Sequence, residues 1–252
     1  MRSSSIIRNA LITVVITIAM YLVLQAIIIL MHEYAHSTAA WLLGYTSTPF
    51  TVVWGNLLTL RGWDEGVPYD RLFPARENPA EAVIGGIPLV IHTIIVTAGL
   101  LLLQRPWMGR GKWLFNALYW FVVMNLAELI AYIIMRPFLA TGDTGRFNEG
   151  LGLSPWLLFV VGTILIVIAL WVLFRKILPV MDDVVARGNP VTYWAMVVGT
   201  AFLLFLWGSG IRIMSLYPDP QWMTGLIGLA AFIAWIMAAF SAPIARTRVH
   251  RH

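Results

Sequence analysis

The sequence contains no cysteine and few charged residues, although it is 252 residues long. Without cysteine, the chain has no disulfide, no thiolate metal ligand and no cysteine nucleophile. Charged residues make up 12% of the chain and hydrophobic residues 60%. A soluble domain does not need so much apolar surface, whereas a bundle of membrane helices does. The composition therefore predicts an all-α polytopic protein that crosses a lipid bilayer several times.

The basic residues also lack the pattern typical of a nucleic-acid partner. The 17 Lys and Arg residues, which give a net charge of +5, form no basic stripe with interleaved aromatic residues. With a cytoplasmic N-terminus, eleven of the 17 fall in inner segments and six in outer ones. Because Lys and Arg accumulate in cytoplasmic loops, this distribution predicts a multi-pass protein of the plasma (cytoplasmic) membrane with both termini inside.

Six apolar runs divide the chain, and each is close to the ~20 residues that a helix needs to cross the hydrocarbon core. These runs cover roughly 9–31 with a continuation to about 43, then 82–103, 113–138, 155–174, 191–211 and 222–242. The segment 44–81 is too polar to be a membrane helix. No internal repeat and no soluble module are visible, so we expect one integral membrane domain over residues 1–252.

The end of the first apolar run carries three ionisable residues. The stretch IIILMHEYAHSTAAWLLGY contains His32, Glu33 and His36, and such groups are costly in a membrane helix and usually functional. On a helix His32 and His36 share one face, so that both imidazoles reach one metal ion. Glu33 lies about 100° around the helix, where it reaches a water instead of the metal. Two histidines with a glutamate base are typical of zinc peptidases, while the alternative is a pair of hydrogen-bonded core histidines.

At these residues the sequence is similar to a known family. HEYAHSTAAWLLGY resembles the HExxHxxxAxxLG signature of the site-2-protease-like intramembrane zinc metalloproteases. The resemblance, which covers roughly residues 20–152, implies a three-helix metalloprotease-like core in residues 1–152. The apolar runs in 153–252 carry no recognised motif and are expected to form three additional transmembrane helices. It also implies a short β segment after the first motif. PFTVVWGNLLTLRGW fits such a segment, with a hairpin turn at Gly55-Asn56.

The family resemblance also implies an aspartate as third zinc ligand. TGDTGRFNEGLG, after the third run, matches that element with Asp143 in the ligand position. The usual NxxPxxPxDG approach is absent, and the nearest upstream asparagine is Asn125. Glu128, which shares a helix face with Asn125, is therefore an alternative third ligand. The predicted topology places both His32 and Asp143 towards the outer boundary, where they can meet.

Two further polar residues lie in apolar runs. His92 is expected either to bond a neighbouring carbonyl or Glu128, or to orient the substrate or the zinc ligands. Asn125 is expected either to help orient the zinc ligands or to form a polar contact between helices with Glu128. The glycine pair Gly85-Gly86 favours close helix packing over ligand binding.

Taken together, the resemblance implies hydrolysis of peptide bonds in transmembrane or juxtamembrane segments of membrane-protein substrates. Zn²⁺ would be held by His32, His36 and Asp143, with Glu33 as the catalytic base. The alternative is a non-proteolytic subunit of a membrane complex, with a partner protein and a structural or vestigial zinc site. A structural site would need a fourth protein ligand, for which His92 and Glu128 are the candidates. An ion transporter is disfavoured because the last three runs have almost no polar residues.

Overall fold

The computed structural model describes residues 2–56, 62–74, 77–207 and 222–241. Several sequence predictions concern residues outside these ranges. They include the C-terminal ends of the fifth and sixth apolar runs, Arg212, and the basic tail from 242 onwards. Within the described residues the chain is helical and forms no strand, which confirms the all-α prediction.

Nine α-helices occur in the described residues, and several continue without a break into π-helical turns. The α-helices are α1 (Arg2–Leu42), α2 (Tyr69–Leu72), α3 (Pro79–Leu103), α4 (Lys112–Leu129), α5 (Gly142–Gly150), α6 (Pro155–Val172), α7 (Leu178–Met181), α8 (Pro190–Ala201) and α9 (Trp222–Ser241). The π-helical turns are Ile130–Met135, Leu173–Ile177, Asp182–Ala186 and Phe202–Trp207, and a 3₁₀ turn covers Pro106–Arg110.

Five of the described helices are long and apolar enough to cross a membrane. They extend over Ser4–Leu42, Pro79–Leu103, Lys112–Met135, Pro155–Ala186 and Pro190–Trp207, and a shorter apolar helix covers Gly225–Ser241. The chain is thus a multi-pass membrane protein. The count of six spans, the three-helix core and the orientation of the termini stay predictions.

Helices α1 and α4 run parallel and are joined by polar contacts along their length. Three pairs, separated in sequence by 99 or 100 residues, connect them: Lys112 Nζ to Thr13 Oγ1 at 2.9 Å, Asn116 Nδ2 to Thr17 Oγ1 at 2.9 Å, and Tyr132 Oη to His32 Nε2 at 3.3 Å. Because the separation in sequence is nearly the same for all three pairs, α1 and α4 stay in one register along their length. The His32 turn of α1 is thereby held beside the C-terminal end of α4.

Helix α5 packs directly on α3 through glycine, as the sequence predicted for Gly85 and Gly86. A Cβ on Gly85 would lie 3.0 Å from the carbonyl oxygen of Asp143, and one on Gly86 would lie 2.6 Å from the Phe147 ring. A Cβ on Gly150 would lie 2.6 Å from the backbone nitrogen of Ala82. The missing side chains therefore let the short helix that carries Asp143 approach α3 closely.

The segment between α1 and α3 folds back along itself. Val53 and Asp64 form an isolated antiparallel bridge, with backbone hydrogen bonds of 2.7 and 3.3 Å. Residues 57–61 lie outside the described residues, so the hairpin stays a prediction. Gly66, with φ of +68°, lets the returning chain pass Thr51, whose backbone oxygen would clash with any Cβ there.

Candidate metal centre

Three potential ligand atoms converge where α1, α5 and the end of α4 meet. Asp143 Oδ2 lies 2.9 Å from His32 Nε2 and 3.4 Å from His36 Nε2, and the two Nε2 atoms are 3.3 Å apart. A tetrahedral zinc ion with bonds of ~2.0–2.1 Å holds its ligands about 3.3 Å apart. The three observed separations therefore have the size that a shared metal ion requires.

The carboxylate of Asp143 fits a metal for a second reason. Its Oδ2 atom is buried and has no hydrogen-bond partner among the described residues, although both imidazoles are close. A buried carboxylate oxygen without a partner is costly, and a cation bound between the three atoms would remove that cost. His32, His36 and Asp143 are accordingly the group of described side chains able to hold a metal ion.

The backbone of α3 determines which nitrogen of His36 is available. His36 Nδ1 lies 2.6 Å from the carbonyl oxygen of Ile84. A carbonyl only accepts hydrogen bonds, so Nδ1 carries the proton and donates it there. The lone pair of His36 consequently lies on Nε2, the atom that faces Asp143, as a metal ligand requires.

A chain of side chains determines the tautomer of His32 in the same way. Asn125 Nδ2 donates to the Phe121 carbonyl at 2.7 Å, so its Oδ1 is free to accept from His92 Nδ1, also at 2.7 Å. His92 Nε2 then accepts from His32 Nδ1 at 3.0 Å. With its proton on Nδ1, His32 presents the lone pair of Nε2 to the centre. Within the described residues, the hydrogen bonds of the His92 ring thus go to His32 and Asn125 rather than to a carbonyl or Glu128.

Asp143 is well placed to remain ionised. It lies in the first turn of α5, where the positive end of the helix dipole favours a carboxylate. An ionised carboxylate is the form that binds a cation.

The other two predicted acidic residues lie outside this group of converging ligand atoms. Glu33 is half-buried, and its carboxylate interacts electrostatically with both His32 and His36. Glu128 is also half-buried, and its charge acts on His92. Asp143, and not Glu128, therefore belongs to the group of converging ligand atoms. Glu33 is the residue that follows His32 in α1.

Tyr132 is a site residue that the sequence analysis missed. Its ring stacks on His32 with a centroid distance of 5.3 Å and an interplanar angle of 19°. On α4 and its π-helical continuation, Tyr132 follows Asn125 by seven residues, which is two helical turns. This spacing could have identified Tyr132 from the sequence, because it places the hydroxyl on the helix face that carries Asn125.

Glu65 is the second missed residue, and it comes from the segment between α1 and α3. The negative charge of the Glu65 carboxylate interacts electrostatically with Glu33, His36 and Tyr69. Burial raises the pKa of Tyr69, and the Glu65 carboxylate raises it further. No periodic pattern marks Glu65, because its position depends on the fold-back at Val53 and Asp64.

Comparison with known proteins adds no assignment: no protein-family model, no curated protein and no solved structure matches this chain. The functional argument therefore depends on the residues of the centre and on their contacts.

Proposed function

We propose that this protein is an intramembrane zinc metalloprotease that hydrolyses peptide bonds in transmembrane or juxtamembrane segments. The observation that carries the proposal is the convergence of His32 Nε2, His36 Nε2 and Asp143 Oδ2 on one point. Both histidines carry their proton on Nδ1, so each presents the lone pair of Nε2 to the centre. Glu33 directly follows His32 in α1. Three protein ligands with one open position are typical of catalytic zinc sites, whereas structural sites have four.

In this proposal each residue has a separate task. His32, His36 and Asp143 would hold a zinc ion, which would act as a Lewis acid on the attacking water and on the substrate carbonyl group. Glu33 accepts the proton of the attacking water and passes it to the leaving amide nitrogen. The Tyr132 hydroxyl, 3.3 Å from His32 Nε2, donates a hydrogen bond to the substrate carbonyl oxygen as negative charge develops there.

The position of the centre suits a substrate that leaves the bilayer. His32 is ten residues before the end of α1 at Leu42, or about 15 Å along the helix axis. Asp143 comes from α5, which lies outside the membrane-spanning helices. A peptide bond at the rim of the bilayer, in a locally unwound segment, would therefore reach the centre. With the predicted topology this rim is the outer face of the plasma membrane.

Replacing Glu33 by Gln tests the proposal, because Gln keeps the size of the side chain but accepts no proton. We expect Glu33→Gln to retain stoichiometric zinc by elemental analysis. Its rate of cleavage of a panel of fluorescent transmembrane peptides in micelles should fall about 10²–10⁴-fold, the usual contribution of general acid–base catalysis. His36→Ala should lose the zinc as well as the cleavage.

Glu128→Gln is the matched control, since it makes the same chemical change in a neighbouring span. It should keep both zinc and cleavage, whereas Asp143→Asn should lose zinc. If Glu33→Gln cleaves at the wild-type rate while both histidines are needed for folding, the centre is a structural zinc site of a non-proteolytic subunit. Zinc loss in Glu128→Gln instead of Asp143→Asn would make Glu128 the third ligand.

A further inference from the structure

The guanidinium group of Arg136 lies over the ring of Tyr132, beside the candidate metal centre. Arg136 follows Tyr132 by four residues, which is about one helical turn, and its Cζ atom is 4.5 Å from the centroid of the Tyr132 ring. The same ring stacks on the imidazole of His32. Tyr132 therefore contacts both a candidate metal ligand and a cation, and these two contacts together restrict the rotation of its ring.

The backbone that leads from α4 into α5 determines where Arg136 lies. The carbonyl oxygen of Arg136 accepts a hydrogen bond from Thr144 Oγ1 at 3.0 Å. The guanidinium group is close to Gly142, since a Cβ at Gly142 would be 3.2 Å from Arg136 Nη2. Gly142 directly precedes Asp143 in α5. The cation is thus near both the Tyr132 ring and the backbone next to the third candidate ligand.

The hydroxyl group of Tyr132 lies at the edge of the candidate metal centre. Its oxygen is 3.3 Å from His32 Nε2, the nitrogen that carries the lone pair of His32. A metal ion bound to His32 would occupy that lone pair, and the hydroxyl would lose this acceptor. The proton of Tyr132 is then available for a hydrogen bond to the carbonyl oxygen of a substrate.

A permanent positive charge beside a phenol strengthens the hydrogen bond that the phenol donates. Arginine is always protonated, and a cation over an aromatic face polarises the ring. Arg136 is half-buried, so its charge is screened less than that of an exposed side chain. A stronger donor matters most when the accepting oxygen becomes negative, as it does when water attacks a carbonyl group.

We infer that Arg136 is a positioning residue for peptide hydrolysis. It holds the Tyr132 ring against His32 and strengthens the hydrogen bond from the Tyr132 hydroxyl to the substrate carbonyl oxygen. The inference rests on the proposed function, because only that reaction makes the carbonyl oxygen negative. Since Arg136 acts through Tyr132, removing its charge should have no effect on the reaction once the hydroxyl is absent.

The first experiment measures kcat and KM of the full-length protein with fluorescent transmembrane peptides in micelles. Tyr132→Phe should lower kcat about 10²–10³-fold, the usual effect of removing one donor to a developing oxyanion. Arg136→Gln should lower kcat roughly 3–30-fold, which corresponds to the loss of a cation–π contact. KM should stay unchanged, because the lost interaction is made only in the transition state. Arg136→Lys keeps the charge and should recover part of the loss.

A double variant and a zinc measurement separate this role from the alternatives. In the Tyr132→Phe background, Arg136→Gln should cause no further loss, whereas additive losses would show that Arg136 acts on the substrate by itself. Both single variants should retain stoichiometric zinc by elemental analysis, and zinc loss in Arg136→Gln would show a structural role instead. Lys176→Gln is the matched control, because it removes a cation that lies over another aromatic ring, that of Trp171, at 6.0 Å. It should leave kcat unchanged.

The second experiment needs no cleavage and therefore tests the inference separately from the proposed function. Fluorine NMR of 3-fluorotyrosine incorporated at Tyr132 detects the distance of this ring from a paramagnetic Co²⁺ ion added in place of zinc. We expect the effect of Co²⁺ on the resonance to be smaller in Arg136→Gln than in the wild type or in Lys176→Gln. An unchanged effect in Arg136→Gln, or an unchanged kcat, would overturn the inference. Absence of cleavage by the wild type would overturn the proposed function, and with it the reaction that Arg136 is inferred to assist.

Discussion

His92 is the residue through which α4 determines the orientation of a candidate metal ligand. It is fully buried, and its two ring nitrogens contact Asn125 and His32. Since Asn125 accepts from Nδ1, His92 Nε2 has no choice but to accept from His32. Removing the imidazole therefore leaves a buried N–H of His32 without a partner and frees its ring to rotate.

We expect His92→Leu to weaken zinc binding 10–100-fold, the usual effect of losing such a supporting hydrogen bond. Competition with a fluorescent chelator measures the affinity in detergent. Thr93→Ala, at the next residue of α3, is the control and should bind zinc as the wild type does. An affinity for His92→Leu within two-fold of wild type would show that His32 does not depend on this contact.

At the scale of elements, the position of Asp143 depends on how closely α5 approaches α3. Gly85 has no side chain, and a Cβ there would lie 2.9 Å from Arg146 Cβ and 3.0 Å from the Asp143 carbonyl oxygen. These are atoms of the α5 backbone or directly attached to it, so they cannot move without moving the helix. The third ligand is thus positioned by the absence of a side chain on another helix.

Gly85→Val should therefore displace α5 and lower zinc occupancy below stoichiometric, measured by elemental analysis of the purified protein. Overpacking of this kind costs about 1–3 kcal/mol, so we expect the protein to stay folded with a lower melting temperature. Ala98→Val, at an exposed residue of the same helix, should change neither quantity. Full zinc occupancy in Gly85→Val would show that α5 reaches the centre by another route.

At the scale of the whole molecule, the orientation in the membrane decides which compartment the metal centre faces. Gly109 lies in the 3₁₀ turn before α4, and Ser154 precedes α6. The chain has no cysteine, so Gly109→Cys and Ser154→Cys each introduce a single thiol. With cytoplasmic termini, the first should react only after the membrane is permeabilised and the second should react in intact cells. The reverse labelling would place the metal centre on the cytoplasmic side.

The sequence was informative wherever local spacing determines geometry. His32 and His36 are one helical turn apart, so their shared face followed from the pattern alone. Asp143 was expected only from the family resemblance, with Glu128 as the alternative, and the structure brings Asp143 to the histidines. Hydrogen-bond partners on other helices were harder to predict from the sequence. His92, for example, had several candidate partners at a similar depth in the membrane. The position of Glu65 could not be predicted from the sequence, because it depends on the path of a segment that has no periodic pattern.

The polar contacts between α1 and α4 limit how a substrate gains access. They extend from Thr13 to His32, about 28 Å along the helix axis, and all share one register. Sliding α1 along α4 by a few ångströms would break all three contacts together, including the one at the metal centre. A movement of α1 along its own axis is therefore disfavoured as the step that admits a substrate to the metal centre.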